Sequence, residues 1–186
     1  NILSRPLDVT PFGMIYAGTQ KNLGLSGLCL VIIKKDFLAK AKDNLPSMLS
    51  YKVQSKSKSM FNTPNTFAIY VLSRVLTWIL EEGGLDEMRL KNIKKSQKLY
   101  DFLDGSTVFS SRVKKREYRS RMNVVFSSND ANRDKDIIMF LEQARIIGIK
   151  GHSLLGGLRA SIYNAVSKEA VEALIDALYL YEKKYA

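Results

Sequence analysis

Residues 15–24 read Ile-Tyr-Ala-Gly-Thr-Gln-Lys-Asn-Leu-Gly and place a lysine, Lys21, directly after an apolar run. That run covers residues 12–17, and a second run rich in Ile, Val and Leu covers residues 27–34. Short apolar runs separated by a glycine-bearing turn predict buried strands of an α/β sheet. Lys21 therefore lies in a loop at the end of a predicted strand, where chemistry can take place.

A lysine in this position has two interpretations. As a nucleophile it needs a deprotonated amine, and a partly desolvated site between apolar strands promotes this by lowering the pKa of the amine. The small residues beside Lys21 leave room for a flat ring. From spacing alone, a solvated surface lysine at a strand end is the alternative.

Helical periodicity dominates the middle of the chain. A short helix is predicted over residues 36–42, and a long amphipathic helix over residues 66–82 ends at Gly83-Gly84. A further helix is predicted over residues 85–103 and ends at Gly105. It has lysines on its outer face, and its inner face comprises Met88, Ile93, Leu99 and Leu103.

The last hundred residues alternate between strand and helix. The predicted elements are a strand over residues 122–127, a helix over 135–147, a strand over 159–163 and a helix over 169–184. Such an alternation is typical of a small α/β domain. We therefore expect a boundary near residue 85, between residues 1–84 and residues 85–186.

The charge of the chain invites a nucleic-acid interpretation. The 186 residues carry a formal net charge of +11, and basic surfaces attract phosphate backbones. However, the lysines and arginines are scattered, and the denser clusters at residues 52–58 and 112–121 lack interleaved aromatic residues. We therefore expect no nucleic-acid partner.

Few residues could support metal or disulfide chemistry. Cys29 is the only cysteine and His152 the only histidine, which excludes an internal disulfide and leaves no metal site to propose. No window approaches the roughly 18 uninterrupted apolar residues of a membrane span. We expect a cytoplasmic protein with no membrane partner.

Four segments resemble the phosphoserine aminotransferases, which are fold-type-I enzymes dependent on pyridoxal phosphate. The stretch around Lys21 resembles their cofactor-lysine motif, and Ser-Met-Phe-Asn-Thr-Pro at residues 59–64 is similar to their Asn-Thr-Pro loop. Arg-Ser-Arg-Met-Asn at residues 119–123 is similar to a strand of their small domain. Residues 150–165, which include His152 and Gly-Gly-Leu-Arg, resemble their substrate-binding end.

The resemblance implies roles for individual residues. Lys21 would carry pyridoxal phosphate and act as general acid and base, while Gln20 would bind the cofactor phosphate. Asn62 and Thr63 would reach the cofactor of the neighbouring subunit, which implies a homodimer. An alternative role for the loop at residues 62–64 is a helix start, with Thr63 or Thr66 as the cap.

Two residues are implied in substrate binding. Arg159 would bind the substrate carboxylate through its planar fork, with a surface salt bridge as the alternative. His152 would bind the substrate's side-chain phosphate, with a structural histidine as the alternative. The family commonly has an arginine where this chain has Ser153, and the lost contact would weaken phosphate binding by about 1.5–3 kcal/mol unless another cation such as Lys150 replaces it.

The expected fold is that of a fold-type-I transferase: residues 1–84 as the later part of the large cofactor-binding domain, and residues 85–186 as the small α/β domain. The opening Asn-Ile-Leu-Ser-Arg-Pro at residues 1–6 reads like the middle of a protein. We therefore expect the C-terminal half of an enzyme that is inactive alone, because the resemblance places other cofactor ligands before Asn1. A related enzyme with an unphosphorylated substrate and a non-catalytic basic module are the alternatives.

Overall fold

The computed structural model describes residues 2–185 and divides into two compact units, Asn1–Leu85 and Asp86–Ala186. Asn1, the first residue of the opening segment, lies outside the described residues, as does Ala186. Within the part of the chain that the structure describes, no helix is both long and apolar enough to cross a membrane. Each unit is built around its own sheet.

The first unit contains an antiparallel hairpin. Strand β1 (Met14–Gly18) pairs with β2 (Cys29–Ile33), with Gly18 opposite Cys29 at the end where the connecting loop begins. Both predicted strands are confirmed, but the prediction that they are buried is wrong, since neither contains a buried residue. Tyr16 is 72% exposed, because within this unit little packs over the faces of a two-stranded ribbon.

Three helices follow the hairpin in sequence, namely α1 (Lys35–Ala39), α2 (Tyr51–Lys56) and α3 (Thr66–Glu81). The long helix α3 confirms the periodicity over residues 66–82. Its N-cap is Asn65, whose side chain accepts a hydrogen bond from the Ala68 backbone N–H at 3.2 Å. The predicted caps, Thr63 and Thr66, were therefore wrong: the Thr66 hydroxyl donates instead to the Pro64 carbonyl at 3.3 Å.

The second unit is a four-stranded antiparallel sheet with helices against one face. The strand order is β3 (Phe109–Ser111), β4 (Asn123–Ser128), β6 (Gly156–Ser161) and β5 (Lys150–His152). Alternate residues of β4 and β6 are buried against helices α4 (Gly84–Gly105), α5 (Asp134–Gln143) and α6 (Lys168–Tyr185). The remaining residues of these two strands, Arg159 among them, point to the opposite face.

Sequence predictions for the second unit hold for its long elements. The end of α4 at Gly105 is confirmed, and three of the four predicted inward residues of this helix, Met88, Leu99 and Leu103, are buried. The strand predicted over residues 159–163 begins three residues earlier, and α5 ends four residues earlier than predicted. Strands β3 and β5 were not predicted.

Lys95 contradicts the prediction that the lysines of α4 face outward, because it is only 4% exposed. Its ammonium donates to the carbonyls of Val166 at 2.7 Å and Tyr163 at 2.9 Å. Burial lowers the pKa of Lys95 to about 8, so the ammonium form still predominates at pH 7. Lys95 thus fixes the segment between β6 and α6.

Replacing Lys95 by methionine is expected to destabilise the full-length protein by about 2–3 kcal/mol, because buried carbonyls lose their donor. Urea unfolding measures the change, with Lys94→Met as the control on the exposed side of the same helix. Equal stability of the two variants would show that the Lys95 contacts contribute nothing.

Asp104 forms ion pairs with two arginines of the loop between β3 and β4. Its carboxylate receives a pair of hydrogen bonds from Arg119, at 2.8 and 2.6 Å, and one from Arg116 at 3.0 Å. The hydrogen bond from Arg119 is the main reason why the pKa of this carboxyl is held below its usual value. The Arg119 guanidinium also lies 4.7 Å from the centre of the Tyr100 ring.

Asp104→Asn is expected to remove stability that depends on pH. A carboxyl with a lowered pKa stabilises the fold above its unfolded pKa of about 3.9 and loses this effect as the pH falls through the lower folded value. The difference in unfolding free energy between wild type and Asp104→Asn should therefore be constant from about pH 7 to 5 and shrink below about pH 4. A difference that does not vary with pH would contradict this.

Candidate functional site

Thr19 fixes the backbone of the loop between β1 and β2. The Thr19 side chain is buried, and its hydroxyl donates to the carbonyls of Leu25 and Leu28. The Lys21 backbone N–H donates to the Thr19 carbonyl at 2.8 Å, forming a tight turn. On the other side, the Asn22 amide donates to the Ile2 carbonyl at 3.1 Å. The backbone on both sides of Lys21 is therefore fixed.

The Lys21 side chain itself is exposed. Within residues 2–185 its ammonium has neither a hydrogen bond nor an ion pair. The described residues therefore do not form the predicted partly desolvated site. The result is a fixed turn that presents a free amine.

Gln20 lies next to the end of β1. A Cβ atom added to Gly18 would overlap the Gln20 Oε1 atom and come within 3.2 Å of its Nε2. The carboxamide therefore occupies space that any side chain at position 18 would take. A side chain at position 18 would therefore require the exposed Gln20 carboxamide to move.

The segment at residues 62–65 approaches the same loop. Asn62 and Thr63 are exposed, whereas the Asn65 amide lies 3.0 Å from the position that a Cβ on Gly27 would occupy. Gly27 has a φ of +99° and lies in the loop that contains Lys21. Within the first unit, the structure thus places Gly27, in the loop that contains Lys21, next to Asn65 at the start of α3.

Arg159 lies in the middle of β6, directly opposite Val125 of β4. Its Nε atom is buried and has no hydrogen-bond partner among the described residues. Nearby on the same face, the side-chain Oδ1 of Asn123 accepts hydrogen bonds from the hydroxyls of Ser161 at 3.1 Å and Tyr163 at 3.2 Å. A buried N–H without a partner is costly, and a ligand carboxylate would satisfy it. Among residues 2–185 Arg159 makes no salt bridge, so the alternative of a surface ion pair finds no support there.

His152 ends β5, opposite Gly156, and is exposed. Its Nδ1 atom accepts a hydrogen bond from the Leu154 backbone N–H at 3.2 Å. In the neutral imidazole the proton is then on Nε2, which is left as a donor. The structure therefore orients His152 without burying it, unlike a structural histidine of the core.

Arg112 also lies at the turn that carries His152, although the sequence did not indicate it. It lies in the basic cluster at residues 112–121, and its guanidinium donates to the carbonyls of Leu155 at 2.6 Å and Gly156 at 3.3 Å. No spacing in the sequence relates it to His152, since 40 positions separate the two residues. Within residues 2–185, no group of three or more His, Cys, Asp or Glu side chains could hold a metal ion.

Solved structures define the class of fold. The phosphoserine aminotransferase from Bacillus circulans subsp. alkalophilus matches with a TM-score of 0.96 and 42% identity, over 100% of this chain and 51% of that chain. A pyridoxal-phosphate-bound phosphoserine aminotransferase from Trichomonas vaginalis matches with a TM-score of 0.91 and 41% identity, over 96% of this chain and 51% of that one. The predicted fold is confirmed: this chain has the fold of part of a fold-type-I transferase.

The family follows from the sequence comparison. The aminotransferase class-V model matches residues 1–174, and the chain belongs to this family. It is 45% identical over 185 residues to the phosphoserine aminotransferase of Azotobacter vinelandii and 43% identical over 186 residues to that of Pseudomonas entomophila. In both cases the match covers 100% of this chain and 51% of the relative. The chain spans about half the length of the curated relatives it matches.

Proposed function

We propose that the full-length protein is an aminotransferase that uses pyridoxal phosphate to convert 3-phosphohydroxypyruvate and glutamate into O-phosphoserine and 2-oxoglutarate, a step of serine biosynthesis. The observation that carries this proposal is the fixed turn that presents the free amine of Lys21. The names of the relatives at 40–45% identity support the same reaction.

The residues of the first unit suit the cofactor. An amine with no partner among the described residues can react without first breaking an ion pair, and the fixed backbone limits the entropy lost when it does. Gln20 and the amine of Lys21 would hold the cofactor, whose pyridine ring, when bound, supplies the electron sink for breaking the Cα–H bond of an amino acid. As general base Lys21 would take the proton from the substrate α-carbon, and as general acid it would deliver that proton to C4′ of the cofactor.

The second unit would bind the substrate. The guanidinium of Arg159 would take the α-carboxylate as a two-pronged partner, which also satisfies its buried Nε. His152 would donate from Nε2 to the side-chain phosphate. Binding a substrate at both ends orients its α-carbon and thereby favours removal of one particular proton.

The assembly is also part of the proposal. Residues 1–84 would form the later part of the large cofactor-binding domain and residues 85–186 the small domain, in a cytoplasmic homodimer. Large apolar side chains exposed in the first unit, such as Leu80 at 75% and Phe67 at 67%, suit a surface that is covered in the full-length protein. Asn62 and Thr63 are exposed and would contact the cofactor of the second subunit.

Turnover by the full-length protein tests the reaction. Phosphoserine with 2-oxoglutarate should give glutamate at a rate well above that with unphosphorylated amino acids. Ser153 favours a second candidate, an enzyme for unphosphorylated substrates, and equal rates would support it. Salt-dependent binding to nucleic acid without any transamination would instead support a basic interaction module.

A further inference from the structure

Arg112 reaches from the end of one strand to the turn between two others. Its backbone N–H donates to the Val125 carbonyl at 3.1 Å, which continues the pairing of β3 with β4. Its Nη1 atom donates to Leu155 O at 2.6 Å and Gly156 O at 3.3 Å, and lies 3.2 Å from the position of a Cβ on Gly157. The guanidinium therefore lies against the start of β6, the strand that carries Arg159.

Arg112 keeps most of its hydrogen-bonding capacity free. An arginine has five N–H donors, and the two contacts of Arg112 use Nη1 alone. The residue is exposed, and in residues 2–185 no carboxylate lies within 4.0 Å of it. The neighbouring Arg116 and Arg119 differ from it, because both pair with the Asp104 carboxylate. Arg112 is thus a cation whose guanidinium still has N–H donors available for a ligand.

His152 belongs to the turn that Arg112 holds. The Leu155 backbone N–H donates to the His152 carbonyl at 3.0 Å and closes this turn, while the hydrogen bond from Leu154 N–H to Nδ1 fixes the ring. The same short segment, residues 152–156, therefore carries an oriented imidazole donor and rests on a guanidinium. Ser153, within this turn, adds no charge.

We propose that Arg112 and His152 together bind the phosphate of the substrate, with Arg112 supplying the charge that phosphoserine aminotransferases commonly place at the position of Ser153. This inference rests on the proposed function. A phosphate dianion is bound best by a guanidinium fork together with further N–H donors. Gly157 and Arg159 are two residues apart on β6, about 7 Å, a separation that a small molecule with an anionic group at each end can span.

Kinetics of the full-length protein test the role of Arg112. Arg112→Gln keeps an amide donor for the turn but loses the charge. It should lower kcat/KM for phosphoserine about ten- to hundredfold and leave that for alanine, which has no phosphate, unchanged. Arg116→Gln, which removes an exposed arginine already paired with Asp104, is the matched control and should change neither value.

A second substitution separates binding from support of the turn. Adding Ser153→Arg to Arg112→Gln should restore much of the lost preference for phosphoserine, because it returns a guanidinium to the same turn. If Arg112→Gln lowers both substrates equally, or Ser153→Arg restores nothing, Arg112 only supports the turn and the proposal is wrong. If Arg112→Gln does not fold, Arg112→Lys is tested instead, because it keeps the charge but loses the planar guanidinium. The proposal then requires that inorganic phosphate inhibit Arg112→Lys more weakly than wild type.

The activity of the wild type separates failure of the proposed function from failure of the role of Arg112. A wild-type protein that transaminates neither phosphoserine nor alanine would remove the proposed function and this inference with it. If the wild type prefers phosphoserine and the Arg112 variants keep this preference, only the proposed role of Arg112 is ruled out.

Discussion

Replacing Lys21 by alanine in the full-length protein is expected to lower transamination at least about 10³-fold. The substitution removes the amine that would hold the cofactor and, with it, the group that would move the α-proton; a positioned acid or base alone typically contributes about 10²- to 10⁴-fold. The loss should lie in kcat, because the substrate-binding residues remain. Stopped-flow absorbance of the half-reaction with phosphoserine measures it.

The fold should tolerate this change. Lys21 is exposed and its side chain has no partner among the described residues, while Thr19 and Asn22 hold the turn. The variant should therefore unfold at the same temperature as Lys40→Ala, a control at an exposed lysine that follows α1 and should keep full activity. Undiminished transamination by Lys21→Ala would exclude Lys21 as the cofactor lysine.

Replacing Arg159 by glutamine is expected to lower kcat/KM for phosphoserine about 10²- to 10³-fold, because a hydrogen-bonded partner of the substrate carboxylate is lost in a partly buried site. A substrate analogue isolates the cause. Phosphoethanolamine is phosphoserine without its carboxylate, so its slow reaction should be the same in wild type and Arg159→Gln.

The control for Arg159 is Arg121→Gln, an exposed arginine of the same unit that should leave both substrates unaffected. If Arg159→Gln reduced phosphoserine and phosphoethanolamine by the same factor, the arginine would support the sheet instead of binding the carboxylate.

Long elements with strong periodicity could be predicted from the sequence. Helices α3 and α4 begin and end within two residues of the predicted positions, because their apolar spacing and the glycines at their ends act locally. The core of the second unit was predicted only in outline. Strands β3 and β5 have three residues each, which is too short for an alternating pattern to be visible.

Contacts distant in sequence could not be predicted. Lys95 fits a lysine-rich helix face, and only the fold places carbonyls of residues 163 and 166 around its ammonium. Arg112 reaches its turn across the sheet. A helical pattern shows which side of a helix is apolar but not which charged residue fills a gap in the core.

The turn that contains Lys21 was predictable from the sequence, but its environment was not. The residues around Lys21 mark a turn after a strand, and the structure contains that turn. Burial is different, because it depends on what covers the hairpin rather than on the hairpin's own sequence. For this reason Lys21 was expected to be partly desolvated and is exposed.

Chemical trapping tests the central claim most directly. The full-length protein, purified with its cofactor, is reduced with borohydride and digested, and the peptide that carries a pyridoxyl group is sequenced by mass spectrometry. We expect a single modified peptide, with the group on Lys21. Modification of a different lysine, or of none although cofactor is bound, would contradict it.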